Sequence, residues 1–492
     1  MKKQVFNPYL PLSEYIPDGE AHVFGDRVYL FGSHDKEGGD SYCILDYVGW
    51  SAPVDDLSDW SCSGVIYSPT QDPLYGDKMK YLYAPDVVQG NDGRYYLYYC
   101  MAGWRGKGGY SNPISVAVCD TPDGRYEYLG VVKNADGTPL TRYVCFDPAV
   151  INDNGTIRLY YGSNYPWFDD MPFRWMRETA ISIMSGRTCK EIRAVPEGIM
   201  GAYHVALADD MLTATSAPKR IDNAISGQGY KEHSFFEGAS IRKVGDTYYF
   251  VWSSIKNHEL CYATSKYPDR GFQYGGTIVS NGDVGYKGRT DKDRLNHTGT
   301  THGGIERVGG KWYVFYHRLT HNSDYSRQAC AEPIEIAPGG SIEQVEVTSC
   351  GLNGKPLKAE GSYPAAICCN LTDGKMKHGS NASRRSIEPC VTSSGDERYV
   401  TNIADNTVIG YKYFDFTGKA SVSVTYRGAG GALSVRTEWD NPLAELMLAP
   451  SEQWNKSSTV TFTASGKKPL YFKYRGKGTI ELLEFSFEES MQ

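Results

Sequence analysis

Short stretches of alternating apolar and polar residues fill most of the chain, and five of them follow a turn rich in Gly, Asn or Asp. Such turn residues supply the positive φ angles that tight hairpins need. Because a short apolar strand also precedes each turn, every copy predicts a β-hairpin. The five turns and the aromatic-rich strands that follow them are residues 25–33, 91–99, 153–163, 245–253 and 309–317.

A second pattern follows three of these hairpins, at residues 56–66, 122–132 and 268–278. It consists of an aromatic residue, then Gly and two β-branched or aliphatic residues, and it predicts outer strands. A hairpin with its outer strands forms a four-stranded unit, and five such units predict a five-bladed β-propeller over residues 1–340. A generic β-sandwich with Tyr-rich strands is the rival interpretation, but two coupled patterns in register favour the propeller.

The C-terminal third has a different pattern. Residues 341–399 contain few strand signals and predict a connecting segment that contributes edge strands. Residues 400–492 return to period-2 alternation with Gly-rich turns, which predicts a β-sandwich of the jelly-roll type. The predicted fold class is therefore all-β, with a five-bladed β-propeller followed by a β-sandwich.

Composition narrows the possible partners and the cellular compartment. Of the 492 residues, 13% are aromatic, and the net charge is −7, so neither nucleic acid nor an anionic membrane is an expected partner. No apolar run reaches the roughly 18–20 residues of a membrane helix. The 12 cysteines show no zinc-ligand spacing and predict free thiols in a reducing compartment. Pro8, Pro11 and Glu14 interrupt any signal sequence after Met1, so we expect a cytoplasmic protein.

One polar residue stands seven or eight positions before each hairpin turn, at the start of the predicted inner strand. Any one of them alone reads as a turn or N-cap residue. In a propeller, however, equivalent positions converge on the central axis, so five at matched phase predict a site at one mouth of the channel. They are Asp18, Asp86, Asp147, Glu237 and His302.

Several acids around one pocket suit the hydrolysis of a glycosidic bond. One protonated carboxyl donates to the leaving oxygen, one carboxylate activates water, and a third acid can keep the donor's pKa high. Sugar sites also use aromatic faces, although an aromatic residue in a β-protein is more often part of the core. The tryptophans in or beside the predicted loops are Trp104, Trp167, Trp175 and Trp252.

These motifs resemble glycoside hydrolase family 43, and the resemblance extends from Asn7 to about Pro333. It implies Asp18 as general base, Asp147 as modulator of the acid's pKa and Glu237 as general acid. The residues that carry it are Asp18-Gly-Glu-Ala-His-Val-Phe24, Tyr83-Ala-Pro-Asp86, Phe146-Asp147-Pro148, Glu237-Gly238, Gly303-Gly-Ile305, Trp312-Tyr-Val-Phe-Tyr-His317 and Arg327-Gln-Ala-Cys-Ala-Glu-Pro333.

The resemblance also implies residues that bind the substrate or an ion. Arg327 matches an arginine beside the acids, and His302 matches a channel histidine that holds a structural Ca²⁺ in some members; no cofactor is needed for the chemistry. Gly19 stands where the family usually has Pro, which leaves Glu20 or Asp35 as alternative bases. The expected substrate-binding residues are Asp86, Trp104, Trp252, His302 and Arg327.

The implied activity is that of an inverting exo-glycosidase in xylan degradation, an α-L-arabinofuranosidase or β-D-xylosidase acting on short oligosaccharides. A long insertion between the third and fourth blades, at about residues 171–231, predicts a wall around an exo-type pocket. Alternatives are a catalytically silent glycan-binding propeller, an arabinanase or β-1,3-galactosidase, a fructan hydrolase and a glycoside phosphorylase. The C-terminal sandwich resembles carbohydrate-binding module family 6. The oligomeric state is left open.

Overall fold

The computed structural model describes residues 4–168, 170–379 and 387–488. Within these residues, five small antiparallel sheets follow one another along the chain, four with four strands and one with three. The first strands of the first four sheets contact one another in succession, and the first strand of the fifth contacts that of the first. The five sheets therefore form a closed ring of blades, which confirms the predicted five-bladed β-propeller.

Each blade is a sheet whose strands follow one another from the central axis outwards. The first contains β1 (Glu20–Phe24), β2 (Arg27–Phe31), β3 (Tyr47–Pro53) and β4 (Ser61–Tyr67). The second contains β5 (Tyr81–Gln89), β6 (Tyr95–Ala102), β7 (Ser115–Cys119) and β8 (Glu127–Val131). The third contains β9 (Ala149–Asp153), β10 (Thr156–Ser163), β11 (Gly201–Leu207) and β12 (Lys219–Arg220). The last two contain β13 (Phe235–Val244), β14 (Thr247–Ser254), β15 (Glu259–Ser265) and β16 (Gln273–Ser280), then β17 (Ile305–Val308), β18 (Lys311–Leu319) and β19 (Arg327–Ile334).

Paired tyrosines explain much of the aromatic content. Successive side chains of a strand point to opposite faces of the sheet. In β6, Tyr98 packs into the core shared with the third blade, and Tyr99 packs into the core shared with the first. Tyr161 and Tyr160 of β10 repeat this arrangement one blade further along. All four rings are fully buried, so each Tyr-Tyr pair holds its blade to both neighbours.

The N-terminal segment closes the ring on its outer side. The Asn7 side chain donates to the carbonyl oxygen of Ala331 at 2.9 Å and accepts from the Ala331 N–H at 3.1 Å. Tyr9 adds a backbone hydrogen bond to Ala329, also in β19. The residues before β1 therefore lie beside the three-stranded fifth blade and join it to the first.

Within the described residues, both α-helices lie in one insertion inside the third blade. The insertion contains α1 (Arg174–Ser185) and α2 (Cys189–Arg193), and it separates β10 from β11. The prediction that it stands between the third and fourth blades was therefore wrong, because β12 has only two residues and left no clear outer-strand pattern.

No helix in the described part of the chain is long and apolar enough to cross a membrane. Short 3₁₀ helices are Pro69–Gln71, Trp104–Gly106, Gly109–Ser111, Pro166–Phe168, Asp222–Ala224, Tyr230–His233, Asn281–Asp283, Tyr286–Gly288, Gly351–Asn353 and Ala365–Ile367.

The C-terminal part forms one sheet of eleven strands around a single hydrophobic core. Its longest strand pairs with five others, so the sheet folds over onto itself. The segment 341–399 supplies the first strands of this sheet. The eleven strands of the whole sheet are β20 (Leu357–Lys358), β21 (Gly361–Pro364), β22 (Asn370–Thr372), β23 (Cys390–Ser394), β24 (Glu397–Ile403), β25 (Val408–Gly428), β26 (Gly431–Arg436), β27 (Pro442–Leu448), β28 (Ser451–Lys456), β29 (Val460–Arg475) and β30 (Ile480–Glu488). The division at residues 340 and 400 and the likeness to carbohydrate-binding module family 6 stay predictions.

A buried lysine fixes this sheet to the propeller. Lys412 of β25 is 1% exposed, and its Nζ lies 2.9 Å from both Asp283 Oδ2 and Glu346 Oε1. Asp283 belongs to the loop that follows the fourth blade. Because a buried charge is costly unless it is paired, this contact ties the two parts of the chain together.

Replacing Lys412 by Met is expected to destabilise the protein. The change leaves Asp283 as a buried carboxylate without its cation, a situation that costs about 3–5 kcal/mol. The midpoint of thermal unfolding should fall by several degrees, as followed by scanning calorimetry. Lys419→Met is the matched control, because Lys419 is an exposed residue of the same strand. Equal midpoints for the two variants would contradict a stabilising role for this contact.

Candidate active site

The three predicted catalytic acids meet at one mouth of the propeller channel. Asp18 and Asp147 each stand two residues before the inner strand of their blade, and Glu237 lies near the start of β13. All three line a single pocket of about 850 Å³ together with His302 and other residues. The structure therefore brings together side chains that are 90 to 219 residues apart in the sequence.

A shared backbone geometry aims the acids into the pocket. Asp18 and Asp147 have φ angles of 57° and 45°, which non-Gly residues rarely adopt. In the fourth blade the equivalent turn uses Gly238, with φ of 68°, and its N–H donates to Asp147 Oδ2 at 3.0 Å. Conformations of this kind cost about 1–3 kcal/mol each and cluster at functional sites.

Asp18 is held in its ionised form. Its Oδ1 lies 2.9 Å from Arg327 Nη1 and 3.4 Å from His317 Nδ1. The backbone N–H of Asp18 donates to His317 Nδ1. Burial alone would raise the pKa of Asp18, but the positive charge of Arg327 lowers it below its usual value of 3.8. Asp18 is therefore a carboxylate at neutral pH, as a general base must be.

Arg327 is itself fixed by a second buried carboxylate. Asp35 accepts from Arg327 Nε at 2.8 Å and from Nη2 at 3.0 Å, which leaves Nη1 directed at Asp18. The guanidinium also lies over the Tyr42 ring at 4.8 Å. Bidentate pairing of this kind sets the orientation of an arginine.

The other two acids, Glu237 and Asp147, both have raised pKa values. Burial, followed by the negative charge of Asp18, raises the pKa of Glu237 to about 8. Burial also raises the pKa of Asp147 well above its usual value, and the charges of Glu237 and Asp18 add to this effect. Because ionising several neighbouring carboxyls in one buried site is costly, this pair keeps a proton near neutral pH. The pocket thus holds both an ionised carboxylate and a protonated carboxyl.

Two histidines complete the floor of the pocket. His302 Nδ1 lies 3.8 Å from Asp18 Oδ1 and 3.9 Å from Asp147 Oδ2, so it stands between the two acids. His317 touches Asp18 directly. It ends one of the motifs that carry the family resemblance, but that motif alone assigned it no role in the site. Burial lowers the pKa of His317 to about 3, so its ring is neutral.

Loops from several blades and the helical insertion form the walls. Trp167 and two residues of α1, Ile183 and Met184, line the pocket, so the insertion does wall it. Sugars stack on aromatic rings, and this pocket offers several. The aromatic residues that line it are Tyr42, Tyr83, Tyr110, Phe146, Tyr165, Trp167 and Phe236.

Asp86 does not line this pocket, which corrects the expectation that it binds substrate. It is fully buried, and its carboxylate accepts from the Val150 N–H at 2.7 Å and contacts His22 Nε2 at 2.6 Å. Asp86 pairs with Tyr98, whereas Ala149 pairs with the equivalent Tyr160, so the counterpart of Asp86 is Ala149 and not Asp147. The hairpin turn of the second blade is longer than the others. Counting back seven residues from it therefore reached a position two residues away from the equivalent of Asp147.

The two tryptophans that were expected to bind substrate, Trp104 and Trp252, also do not line the pocket. Trp252 is completely buried in the fourth blade, where its Nε1 donates to the carbonyl oxygen of His233, so it cannot stack on a sugar. Trp104 stands at the rim, and its ring is covered by the guanidinium of Arg105 at 4.2 Å. Arg105 lines the pocket in its place.

Neither alternative base remains available. Glu20 lies deeper in the channel, where it accepts from Arg242 Nη2 at 2.8 Å and from Ser240 at 3.1 Å. Asp35 is occupied by Arg327. Asp18 is therefore the ionised acid that faces the pocket.

Comparison of this sequence with known families and proteins points to one family of glycosyl hydrolases. Residues 11–342 match the family described as glycosyl hydrolases family 43. A protein of Thermoclostridium stercorarium named xylosidase/arabinosidase is 42% identical over 507 aligned residues, covering 99% of each chain. A xylosidase/arabinosidase of Bacteroides ovatus is 30% identical and covers 63% of this chain and 87% of its own.

Solved structures agree with the fold. An exo-β-1,3-galactanase from Phanerochaete chrysosporium covers 99% of this chain and 98% of its own with a TM-score of 0.51 at 13% identity. A family 43 enzyme from Xanthomonas citri, complexed with xylose, covers 70% of this chain and 93% of its own with a TM-score of 0.51 at 22% identity. At these identities the likeness supports the fold alone. The matched region 11–342 and the 42% identical relative show that the chain belongs to glycosyl hydrolases family 43.

Proposed function

We propose that this protein is an exo-acting, inverting glycosidase that releases L-arabinofuranose or D-xylose from short oligosaccharides. The observation that carries the proposal is that an ionised Asp18 and a protonated Glu237 line the same walled pocket. The 42% identical relative named xylosidase/arabinosidase supports the choice of pentoses.

In this mechanism Glu237 donates its proton to the glycosidic oxygen while Asp18 accepts a proton from the attacking water. Inverting enzymes keep the two carboxyls about 6.5–9.5 Å apart to leave room for that water. Burial and the negative charge of Asp18 maintain the proton on Glu237. Arg327 keeps Asp18 ionised, and His317 holds it in place by accepting from its backbone N–H. The role of Asp147 as modulator of the acid's pKa stays a prediction. Attack from the face opposite the leaving group inverts the anomeric carbon.

A panel of nitrophenyl glycosides tests the proposal. We expect hydrolysis of the α-L-arabinofuranoside, the β-D-xyloside or both, and little of the galactoside. NMR of the first-formed sugar should show the inverted anomer, with no dependence on phosphate. Binding of oligosaccharides without any hydrolysis would identify a silent glycan-binding protein, and a phosphate requirement would identify a phosphorylase.

The pKa values predict the pH dependence of this activity. The acid must be protonated and the base ionised, so kcat/KM should be highest between the low pKa of Asp18 and the pKa of Glu237, about 8. Above that value, each further pH unit should reduce kcat/KM by about tenfold. A profile of kcat/KM from pH 4 to 10 checks this, and a rise in activity above pH 9 would contradict Glu237 as the acid.

We propose that a structural cation such as Ca²⁺ binds in the channel at His302. Its Nε2 is buried and has no hydrogen-bond partner among the described residues, and the same holds for Glu20 Oε1. The ligand atoms of Glu20, His22 and Asp86 also lie within 4.8 Å of one another. Ca²⁺ prefers oxygen ligands, so carboxylates and water would complete such a site. The ion would supply positive charge below the acids.

We also propose that the protein works in the cytoplasm. None of the twelve cysteines, all of which lie in described parts of the chain, forms a disulfide. Thiols in this number are typical of a reducing compartment. Fractionation of the native host, followed by assay of each fraction, tests this.

A further inference from the structure

Part of the C-terminal region returns to the mouth of the propeller. We call residues 369–379 the strap. Its backbone follows the propeller stretch 295–298, with hydrogen bonds from the Leu371 N–H to the Leu295 carbonyl oxygen at 2.8 Å and from the Thr298 N–H to the Lys377 carbonyl oxygen at 3.1 Å. Two residues beyond this stretch, Thr300 begins the floor of the active-site pocket. The strap is therefore attached next to the catalytic residues.

A buried polar cluster holds the strap in place. Glu388 accepts from the Lys377 N–H at 3.1 Å with one oxygen, and its other oxygen lies 3.0 Å from His297 Nδ1. His297 Nε2 faces Asp324 Oδ1 at 3.1 Å. All three side chains are buried. The C-terminal region is thus joined to the fifth blade by charge and hydrogen bonding.

The approach between strap and propeller is also very close. A Cβ atom added to Gly299 would lie 2.5 Å from the carbonyl oxygen of Gly379. Real Cβ atoms essentially never come this near to a backbone atom, so the position requires Gly. The strap is therefore seated directly on the loop that carries the active-site histidine.

One residue of the strap reaches the pocket. His378 lines the same cavity as Asp18, Asp147 and Glu237. Its Nδ1 lies 3.1 Å from Thr298 Oγ1, and its ring meets the ring of His258 edge-on at 5.7 Å. Among the described residues, Nε2 makes no hydrogen bond. The ring is thus oriented by the propeller and keeps one nitrogen for another partner.

His378 stands on the wall formed by the fourth and fifth blades. Asn257, the neighbour of His258, lines the pocket there as well, and Glu237 comes from the same blade. The His378 side chain is exposed to solvent at the mouth of the pocket. Partial burial, followed by the positive charge of nearby groups, lowers its pKa to about 4. Its neutral imidazole can donate or accept a hydrogen bond but carries no charge.

We propose that the C-terminal region completes the active-site pocket and that His378 binds the leaving-group sugar of an oligosaccharide substrate. The inference rests on the proposed function. Glu237 protonates the leaving oxygen, so the departing sugar lies on the side of the pocket from which Glu237 projects. Sugars present hydroxyl groups that both donate and accept, which matches a neutral imidazole. A single chain thereby builds one binding site from two domains.

The test compares two neighbouring variants on two substrates. His378→Ala should raise KM for xylobiose or an arabinosyl xylo-oligosaccharide by about tenfold, the size expected for one good hydrogen bond. The nitrophenyl pentoside should change less than twofold, because its leaving group offers no hydroxyl. Lys377→Ala is the matched control, since this exposed side chain stands outside the pocket. His378→Gln, which can still form hydrogen bonds, should recover most of the loss.

Binding measured without turnover separates this inference from the proposed function. In a Glu237→Gln background, calorimetry should show xylobiose binding about tenfold weaker after His378→Ala than after Lys377→Ala. Equal affinities, or equal losses on both substrates, would overturn the role of His378 while leaving the glycosidase intact. If the unmodified protein hydrolyses no pentoside, the proposed function fails, and unequal affinities would still support His378 as a sugar ligand.

Discussion

Replacing Asp18 by Asn is expected to reduce kcat/KM by about 10³-fold, within the range of about 10²–10⁴ that a general base contributes. Asn has nearly the same shape, so Arg327 and His317 keep a neighbour, but it cannot accept the proton of the attacking water. Both nitrophenyl and natural substrates need that water, so both should lose activity equally. Steady-state kinetics on the two substrates measures this.

Asp246→Asn is the control for this experiment, because Asp246 is an exposed carboxylate in a hairpin turn of the fourth blade. It should retain full activity. Retention of more than a tenth of the activity by Asp18→Asn would mean that another group activates the water. Circular dichroism of both variants guards against a loss caused by misfolding.

Replacing Glu237 by Gln is expected to have a selective effect. Hydrolysis of natural oligosaccharides should fall about 10²–10⁴-fold, because a sugar alkoxide leaves poorly without a proton. A nitrophenolate leaves well on its own, so the nitrophenyl substrate should fall by only about tenfold. The alkaline limb of the pH profile near pH 8 should disappear, because the group that titrates there is gone.

Glu127→Gln, a change on an exposed outer strand of the second blade, is the matched control and should alter neither substrate. Full turnover of natural oligosaccharides by Glu237→Gln would show that another residue is the acid. The contrast with Asp18→Asn is informative in itself, since a base affects both substrates and an acid mainly affects one.

The blades were predictable from the sequence because hairpin turns and Tyr-rich strands are local signals. The acids were predictable for the same reason, since each stands next to an inner strand. Asp86 was misplaced because counting back from a turn assumes turns of equal length. Trp252 was misplaced because aromatic residues fill both faces of these strands, so the pattern alone does not separate core from pocket.

Other parts of the site depend on distant contacts that no local pattern records. Asp35 reaches Arg327 across 292 residues, and His378 joins the pocket from a region that carried few strand signals. The burial that raises the pKa of Glu237 likewise arises only when all the blades close around it. Such features follow from the assembled ring.

The ring closure by Asn7 also sets the order of events during synthesis. Its partner Ala331 is 324 residues away, and Asp18 meets Arg327 across 309 residues. The first blade therefore leaves the ribosome long before the strand that completes both contacts. Until then Asp18 has no arginine beside it, so the nascent chain lacks the cation that keeps this carboxyl ionised. Activity should therefore be absent until the fifth blade has been made, so a chain that ends before Arg327 should not hydrolyse substrate.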